Sequence, residues 1–270
     1  MADYWTHNYV GKKLIEKMKN IEVDENLFLL GCQGPDIFYY LQYAVHTNPP
    51  NLGELIHKNT TKEVFLEAFK YLKENNEIFS KSYVYGWIAH YILDKNIHPY
   101  IDSKKEFIHK RLEANIDTYV VDKYFNKSIF SMNSKNILKV NNNHNYIYLM
   151  YKKIANDIFE TSLTFKEYAD SIKHFRKFHK VFNGKNAFLR KIINFLPKMF
   201  NNDLNDYFYL KINEISLPDD IEKIDDILNQ SIYEVEEIIM KLNKYLINEV
   251  DLNELINEFD NINYSGIKCD

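Results

Sequence analysis

The sequence predicts an all-α protein. Apolar residues recur at helical spacing, as between Thr61 and Asn75, where Val64, Ala68 and Leu72 fall on one face. The alternation of apolar and polar residues that is typical of strands is scarce. Only seven glycines and six prolines occur in 270 residues, which favours long helices over many tight turns.

The same apolar spacing predicts the individual helices along the chain. The expected ranges are 10–18, 61–75, 80–95, 104–118, 145–160, 165–182, 186–200 and 231–248. Residues 20–28 are predicted to be a loop and residues 38–43 a helical turn. The polar, Asn-rich residues 126–144 are expected to be irregular. We expect residues 1–125 to form a helical core and residues 126–270 to add further helices to the same domain.

The composition excludes several classes of protein. No stretch approaches the roughly 20 apolar residues of a membrane span. The two cysteines, Cys32 and Cys269, give no disulfide framework. The N-terminal residues lack the apolar core of a secretory signal. The sequence therefore predicts a cytoplasmic protein with reduced thiols, and no feature predicts a specific nucleic-acid partner.

A basic segment stands out in a chain whose net charge is −4. Between Ser171 and Asn202 there are eight lysines and arginines and no acid. Two interpretations stay open for residues 173–198. These residues form either a helix with a solvated basic face, or a surface that contacts anionic lipid or phosphate groups.

Metal-ligating side chains are concentrated in His90-x3-Asp94-x3-His98 and His109-x3-Glu113. These five residues fall within 24 positions of a chain that has nine histidines. Residues four apart share a helix face, so each motif offers several ligands from one surface. Imidazole and carboxylate together suit zinc or another divalent first-row metal. Because proline disfavours helix at the preceding residue, Pro99 predicts that the first of these helices ends near Asn96 to His98.

Three further candidates lie upstream: His7, Asp36 in a Gly-Pro turn, and His57, which we prefer to His46. In this order the motifs resemble those of the zinc-dependent phospholipase C family, whose distant relatives are zinc-dependent single-strand nucleases. The matching pieces are Thr6-His7, Gly34-Pro35-Asp36, His57, Gly86-Trp87-Ile88-Ala89-His90-Tyr91-Ile92-Leu93-Asp94, His98-Pro99-Tyr100 and His109-Lys110-Arg111-Leu112-Glu113. The resemblance is strong over roughly residues 1–120.

The resemblance implies a multi-helix bundle with a metal cluster of two or three zinc ions between its helices. One ion would be held by Asp36, His57 and His90, and Asp94 would bridge it to a second ion that His7 also binds. The third ion would be held by His98, His109 and Glu113.

The implied activity is hydrolysis of a phosphoester, such as a phospholipid, by metal-activated water, with Asp36 as the catalytic carboxylate. One departure concerns the second ion. Family members complete that site with a processed N-terminal Trp, whereas this sequence reads Met1-Ala2-Asp3-Tyr4-Trp5.

Two alternative functions stay open. One is a metal-binding helical protein without catalytic activity. The other is a di-iron oxidase, because Glu54-x2-His57 and Glu106-x2-His109 are Glu-x-x-His motifs.

The remaining histidines and two other residues are interpreted as structural. His46, His144, His174 and His179 are expected in the core or at the surface (His144 at the surface). Asp117 is expected as an exposed charge in preference to a hydrogen-bond acceptor behind a metal ligand, and Cys32 as a buried small residue.

Overall fold

Helices make up nearly all the regular structure of the chain. The computed structural model describes residues 4–43, 51–58, 61–135, 137–185, 204–259 and 261–269. The α-helices are α1 (Tyr4–Lys17), α2 (Glu25–Gly31), α3 (Leu52–Lys58), α4 (Thr61–Glu74), α5 (Ile78–Ser103), α6 (His109–Phe125), α7 (His144–Phe159), α8 (Phe165–Phe182), α9 (Lys223–Leu246) and α10 (Leu252–Ile256). Short 3-10 helices span Gly34–Tyr43, Ile129–Ser131 and Leu204–Tyr207.

The predicted all-α class is confirmed. Within the described ranges the only extended pairing is an isolated bridge between Ile262 and Lys268. The prediction of a loop at residues 20–28 is wrong in part, because Asp24 caps α2 by accepting a hydrogen bond from the Leu27 amide. The predicted helix at 186–200 and the second half of the basic segment lie outside the described residues.

Helix α5 is the centre of the molecule. Its residues from Ser82 to Asp94 are all buried. Helix α2 crosses it backbone to backbone, because a Cβ atom on Gly86 would lie 2.0 Å from the Phe28 carbonyl oxygen. A Cβ atom on Gly31 would lie 2.1 Å from the Tyr83 carbonyl oxygen. These two glycines permit the close crossing that fixes the segment after α2 above the middle of α5.

The predicted end of α5 before Pro99 is wrong, since the helix continues to Ser103. A proline in a helix lacks the N–H that would bond to the carbonyl four residues earlier, here that of Lys95. Residues near the C-terminus pack over this point. A Cβ atom on Gly266, whose φ is +73°, would lie 2.7 Å from Pro99 Cγ and 2.9 Å from the Lys95 oxygen. The helix therefore passes through its proline beneath another segment of the chain.

The later helices pack on the earlier ones. Helix α9 lies along α5, α7 contacts α4 and α5, and α8 covers the 3-10 helix Gly34–Tyr43. Buried residues of both halves belong to one hydrophobic cluster. The boundary at residue 125 stays a prediction. Among the described helices, none is both long and apolar enough to cross a membrane.

Candidate metal centre

Helix α5 presents three of the candidate ligands on one face. His90, Asp94 and His98 follow one another at intervals of four residues, and they are 0%, 0% and 5% exposed. The Nε2 atom of His90 lies 3.5 Å from Asp94 Oδ2, and that of His98 lies 3.9 Å from Asp94 Oδ1. The continuation of α5 through Pro99 places His98 on the same helical face as the other two.

Three other elements bring ligands to this face. Helix α1 places His7 Nε2 at 3.1 Å from Asp94 Oδ1. The 3-10 helix Gly34–Tyr43 supplies Asp36, whose Oδ1 atom lies 3.8 Å from His90 Nε2. Helix α3 supplies His57, whose Nε2 atom lies 3.0 Å from Asp36 Oδ1.

Gly34 brings the 3-10 helix close to His90. Its φ is +47°, and a Cβ atom there would lie 2.4 Å from Cδ2 of the His90 ring. A side chain at this position would collide with the imidazole, and the positive φ is readily adopted by glycine. The sequence Gly34-Pro35-Asp36 is thus a turn that lies directly on His90 and aims one carboxylate at it.

Helix α6 completes a further group at the end of the face. His109 Nε2 lies 3.1 Å and His98 Nε2 lies 3.5 Å from Glu113 Oε1. Glu113 is 1% exposed, while the side chain of His109 is 44% exposed. Glu113 is therefore buried although it lies one helical turn from the exposed His109, and this group is the one that reaches solvent.

The eight residues form three groups with the geometry of metal sites, two of which share His90. In each group, one nitrogen or oxygen atom from every member lies within 4.8 Å of the others. The groups are His7, His90 and Asp94; Asp36, His57 and His90; and His98, His109 and Glu113.

Many buried polar atoms of these groups lack hydrogen-bond partners. They include both ring nitrogens of His7 and His90, both carboxylate oxygens of Asp94, Oδ1 of Asp36, and Nε2 of His57 and His98. The contact between His109 Nε2 and Glu113 Oε1 is a hydrogen bond, whereas the atoms just named have no such partner. A buried polar group left unsatisfied typically costs about 1–3 kcal/mol. Such a concentration of unpaired ligand atoms suits divalent cations, because imidazole nitrogens and carboxylate oxygens are zinc ligands.

The protonation states also suit a metal. Burial raises the pKa of Asp36 and Asp94, but the surrounding imidazoles outweigh it and hold both pKa values below the ordinary range. Burial lowers the pKa of His90 to about 4, although the neighbouring carboxylates oppose this shift. At neutral pH the carboxylates are ionised and His90 is neutral, which are the forms that bind metal ions.

Comparison with known families assigns the chain to a family. The profile described as "Zinc dependent phospholipase C" matches residues 6–202. The chain belongs to the zinc-dependent phospholipase C family. No match was found among curated proteins, and none among solved structures. The matched region contains all eight residues of the three groups, whereas residues 203–270 lie beyond it.

In this family member, three of the candidate histidine ligands contact an oxygen atom of the chain through Nδ1, the ring nitrogen other than the proposed ligand atom Nε2. The Nδ1 atoms of His57, His98 and His109 lie 2.7 Å from the Gly53 carbonyl, 2.8 Å from the Tyr264 carbonyl and 2.8 Å from Asp102 Oδ1. A proton on each Nδ1 leaves Nε2 as the free ligand atom and fixes the ring. Sequence reasoning did not identify Gly53, Asp102 or Tyr264, because no motif relates these residues to the histidines that they contact.

Asp117 is a residue near the site whose environment the sequence did not predict. It was expected to be exposed, but it is 0% exposed and lies at the N-terminus of α1. It accepts hydrogen bonds from the Trp5 and Thr6 amides at 2.8 and 2.7 Å and from the Thr6 hydroxyl at 2.6 Å. The carboxylate thereby anchors the first turn of the helix that carries His7.

The remaining candidates lie away from the three groups. His144 was expected at the surface, but it is 1% exposed, and its Nδ1 lies 3.0 Å from the Tyr168 hydroxyl. Cys32 is buried, as predicted, while His46 lies outside the described residues. The two Glu-x-x-His motifs do not converge. Glu54 pairs with Lys58 and Glu106 lies in the loop before α6, so the described residues do not form a di-iron site.

Proposed function

We propose that the chain is a zinc-dependent hydrolase of phosphodiesters, of the phospholipase C type. The observation that carries the proposal is the convergence of eight ligand-type side chains from five helical elements on one buried face, with most of their donor atoms unsatisfied. Family membership supplies the expected metal and reaction class. Two or three zinc ions are proposed, at most one for each group.

The proposed ligand sets follow the groups. Asp36, His57 and His90 would hold one ion. Asp94 would be shared with a second ion that His7 would also hold. His98, His109 and Glu113 would hold a third. When bound, zinc supplies Lewis-acid chemistry, because it lowers the pKa of a water molecule towards ~7 and neutralises charge on phosphoester oxygens.

The residues of the chain supply the remaining functions. Asp36 is ionised at neutral pH because nearby imidazoles hold its pKa low, so it can accept the proton of the attacking water. His57 lies against Asp36 and limits its movement. The exposed edge of His109 marks the side on which the substrate enters, because it is the ligand with the most solvent-accessible side chain among the eight.

The proposed substrate class includes phospholipids, and the basic segment supports contact with an anionic surface. Residues of α8 and of the loop after α6 border a cavity of about 1290 Å³. Its described lining contains Lys135, Arg176, Lys177, Lys180 and Lys185 and no acidic side chain. Sedimentation with phosphatidylglycerol vesicles tests this contact. Binding that Arg176→Glu with Lys177→Glu leaves unchanged would contradict it and favour a solvated helix face.

The activity test uses a chromogenic phosphodiester. Purified protein should hydrolyse it, lose activity on chelation and recover with zinc. His90→Ala and Glu113→Ala remove ligands from different groups, so each should lower the rate by roughly a thousandfold, the equivalent of about 4 kcal/mol of barrier. Glu106→Ala is the matched control in the loop before α6 and should leave the rate unchanged.

The outcomes separate the alternatives. Zinc-loaded protein that hydrolyses neither phospholipid nor simple phosphodiesters would favour a non-catalytic metal-binding protein. Retention of iron with oxo-bridge absorption would favour the oxidase. Activity that survives both ligand substitutions would mean that the reaction takes place elsewhere.

A further inference from the structure

A segment near the C-terminus contacts three of the candidate ligands. We name residues 261–269 the C-terminal strap. Within it, the Tyr264 carbonyl oxygen lies 2.8 Å from His98 Nδ1. The Tyr264 ring packs on the rings of His57 and His90 with centroid separations of 4.3 and 5.6 Å. One residue of the strap therefore touches members of all three groups, since His90 belongs to two of them.

The strap is held in place by buried contacts with the core. Tyr264 is 1% exposed, and its hydroxyl accepts a hydrogen bond of 2.8 Å from Trp87 Nε1. The Ile262 carbonyl accepts hydrogen bonds of 2.9 Å from the Tyr91 and Thr61 hydroxyls. Gly266 lies against Pro99 so closely that a Cβ atom would be 2.7 Å from Cγ of the proline. Contacts before and after Tyr264 in the strap thus fix the position of the Tyr264 carbonyl that contacts His98.

We propose that the C-terminal strap is a positioning element of the metal centre and that its order is thermodynamically coupled to zinc affinity. The Tyr264 carbonyl holds the proton on His98 Nδ1, which turns Nε2 towards Glu113 and Asp94. The Tyr264 ring restricts His57. The inference rests on the proposed zinc binding. It goes beyond the family assignment, because the strap lies outside residues 6–202, which the family profile matches.

The coupling has two directions. If the ordered strap favours the ligand geometry, it raises zinc affinity, and by linkage bound zinc must stabilise the ordered strap. Loss of an outer partner of a metal-bound histidine typically weakens metal binding by about 10–100-fold. A strap that only adds packing would lower stability without changing the affinity of the folded protein for zinc.

The first experiment measures zinc affinity by competition with a chromophoric chelator. A chain that ends at residue 260 lacks the carbonyl and should bind zinc about 10–100-fold more weakly. Gly266→Ala keeps every other side chain but forces the strap away from Pro99, so it should also weaken binding. Tyr264→Phe keeps the ring and the carbonyl but removes the hydroxyl that accepts from Trp87, so it should weaken binding less than the shortened chain does. Ile267→Ala, at an exposed position of the same strap, is the matched control and should bind like the wild type.

The second experiment needs no substitution and stands if the shortened chain fails to fold. Hydrogen exchange in the wild type should be slower at the strap amides with zinc than without. Unchanged strap exchange, together with unchanged affinity in folded Gly266→Ala protein, would overturn the proposal while leaving zinc binding intact. A wild type that takes up no zinc would instead overturn the proposed function, so the two failures are distinguishable.

Discussion

Replacement of Asp117 tests how the fold holds the helix that carries His7. The two carboxylate oxygens of Asp117 accept hydrogen bonds from different groups. Oδ1 accepts from the Thr6 amide and hydroxyl, and Oδ2 accepts from the Trp5 amide and from the Tyr209 hydroxyl at 2.9 Å. Asp117→Ala removes all four bonds at a site with no solvent exposure. The two amides at the start of α1 then lose their acceptor.

The expected cost follows from these contacts. Hydrogen bonds to charged groups contribute about 1.5–3 kcal/mol each, but losses within one network are not additive. We therefore expect Asp117→Ala to lower the free energy of unfolding by about 3–5 kcal/mol, as for loss of one partner of a buried pair. Asp117→Asn keeps one oxygen, so about 2 kcal/mol is expected. Because α1 carries His7, zinc binding should weaken in both variants.

Urea denaturation of the metal-free protein measures the first effect, and chelator competition measures the second. Asp122→Asn is the matched control, since it changes an exposed carboxylate on the same helix and should shift stability by less than about 0.5 kcal/mol. A loss below about 1 kcal/mol for Asp117→Ala, with unchanged zinc affinity, would refute the anchoring role.

Two further predictions concern the ions and the pH. Asp94→Asn should remove or loosen more than one zinc ion in elemental analysis, whereas His7→Ala should affect one ion and spare the others; equal loss in both variants would contradict the shared role of Asp94. Burial lowers the pKa of His144 to about 4 and that of His179 to about 3, from the ordinary value of 6.5. Between pH 6.5 and 4 the unfolded chain therefore binds more protons, so the stability of the metal-free protein should be full above pH 6.5 and fall as the pH drops. Urea titrations across this window check the slope, which His144→Gln should flatten.

Local patterns in the sequence were sufficient to place the candidate ligands in pairs on helix faces, but they did not predict the contacts that surround these residues. His90 with Asp94, and His109 with Glu113, are separated by one helical turn, and that spacing alone places each pair on one face. Helix α8 was predicted at residues 165–182 and spans Phe165–Phe182, because the capping box of Thr164 and Glu167 is a local signal.

The surroundings depend on contacts between distant segments. Asp117 looked like an ordinary helix-surface charge, and only the packing of α1 on α6 reveals its role. Pro99 predicts a helix end from local sterics, yet Gly266 from the far end of the chain packs over it. Neither contact is accompanied by a periodic pattern of residues, so a short window of the sequence cannot predict it. The cytoplasmic location and the domain boundary also stay predictions.

The charges of the centre predict how a substrate and the ions affect one another. Asp36 and Asp94 are ionised and buried, and their oxygens lie 3.8 and 3.5 Å from Nε2 of His90. One divalent ion would offset these two charges, and a second would leave an excess of about two positive charges in a site of low dielectric. A phosphodiester anion relieves part of this excess, so it should bind together with the second ion. By linkage, dimethyl phosphate should tighten that ion by roughly 5–150-fold. Zinc titrations with and without it that gave identical isotherms would show that the anion does not contact this pair of groups.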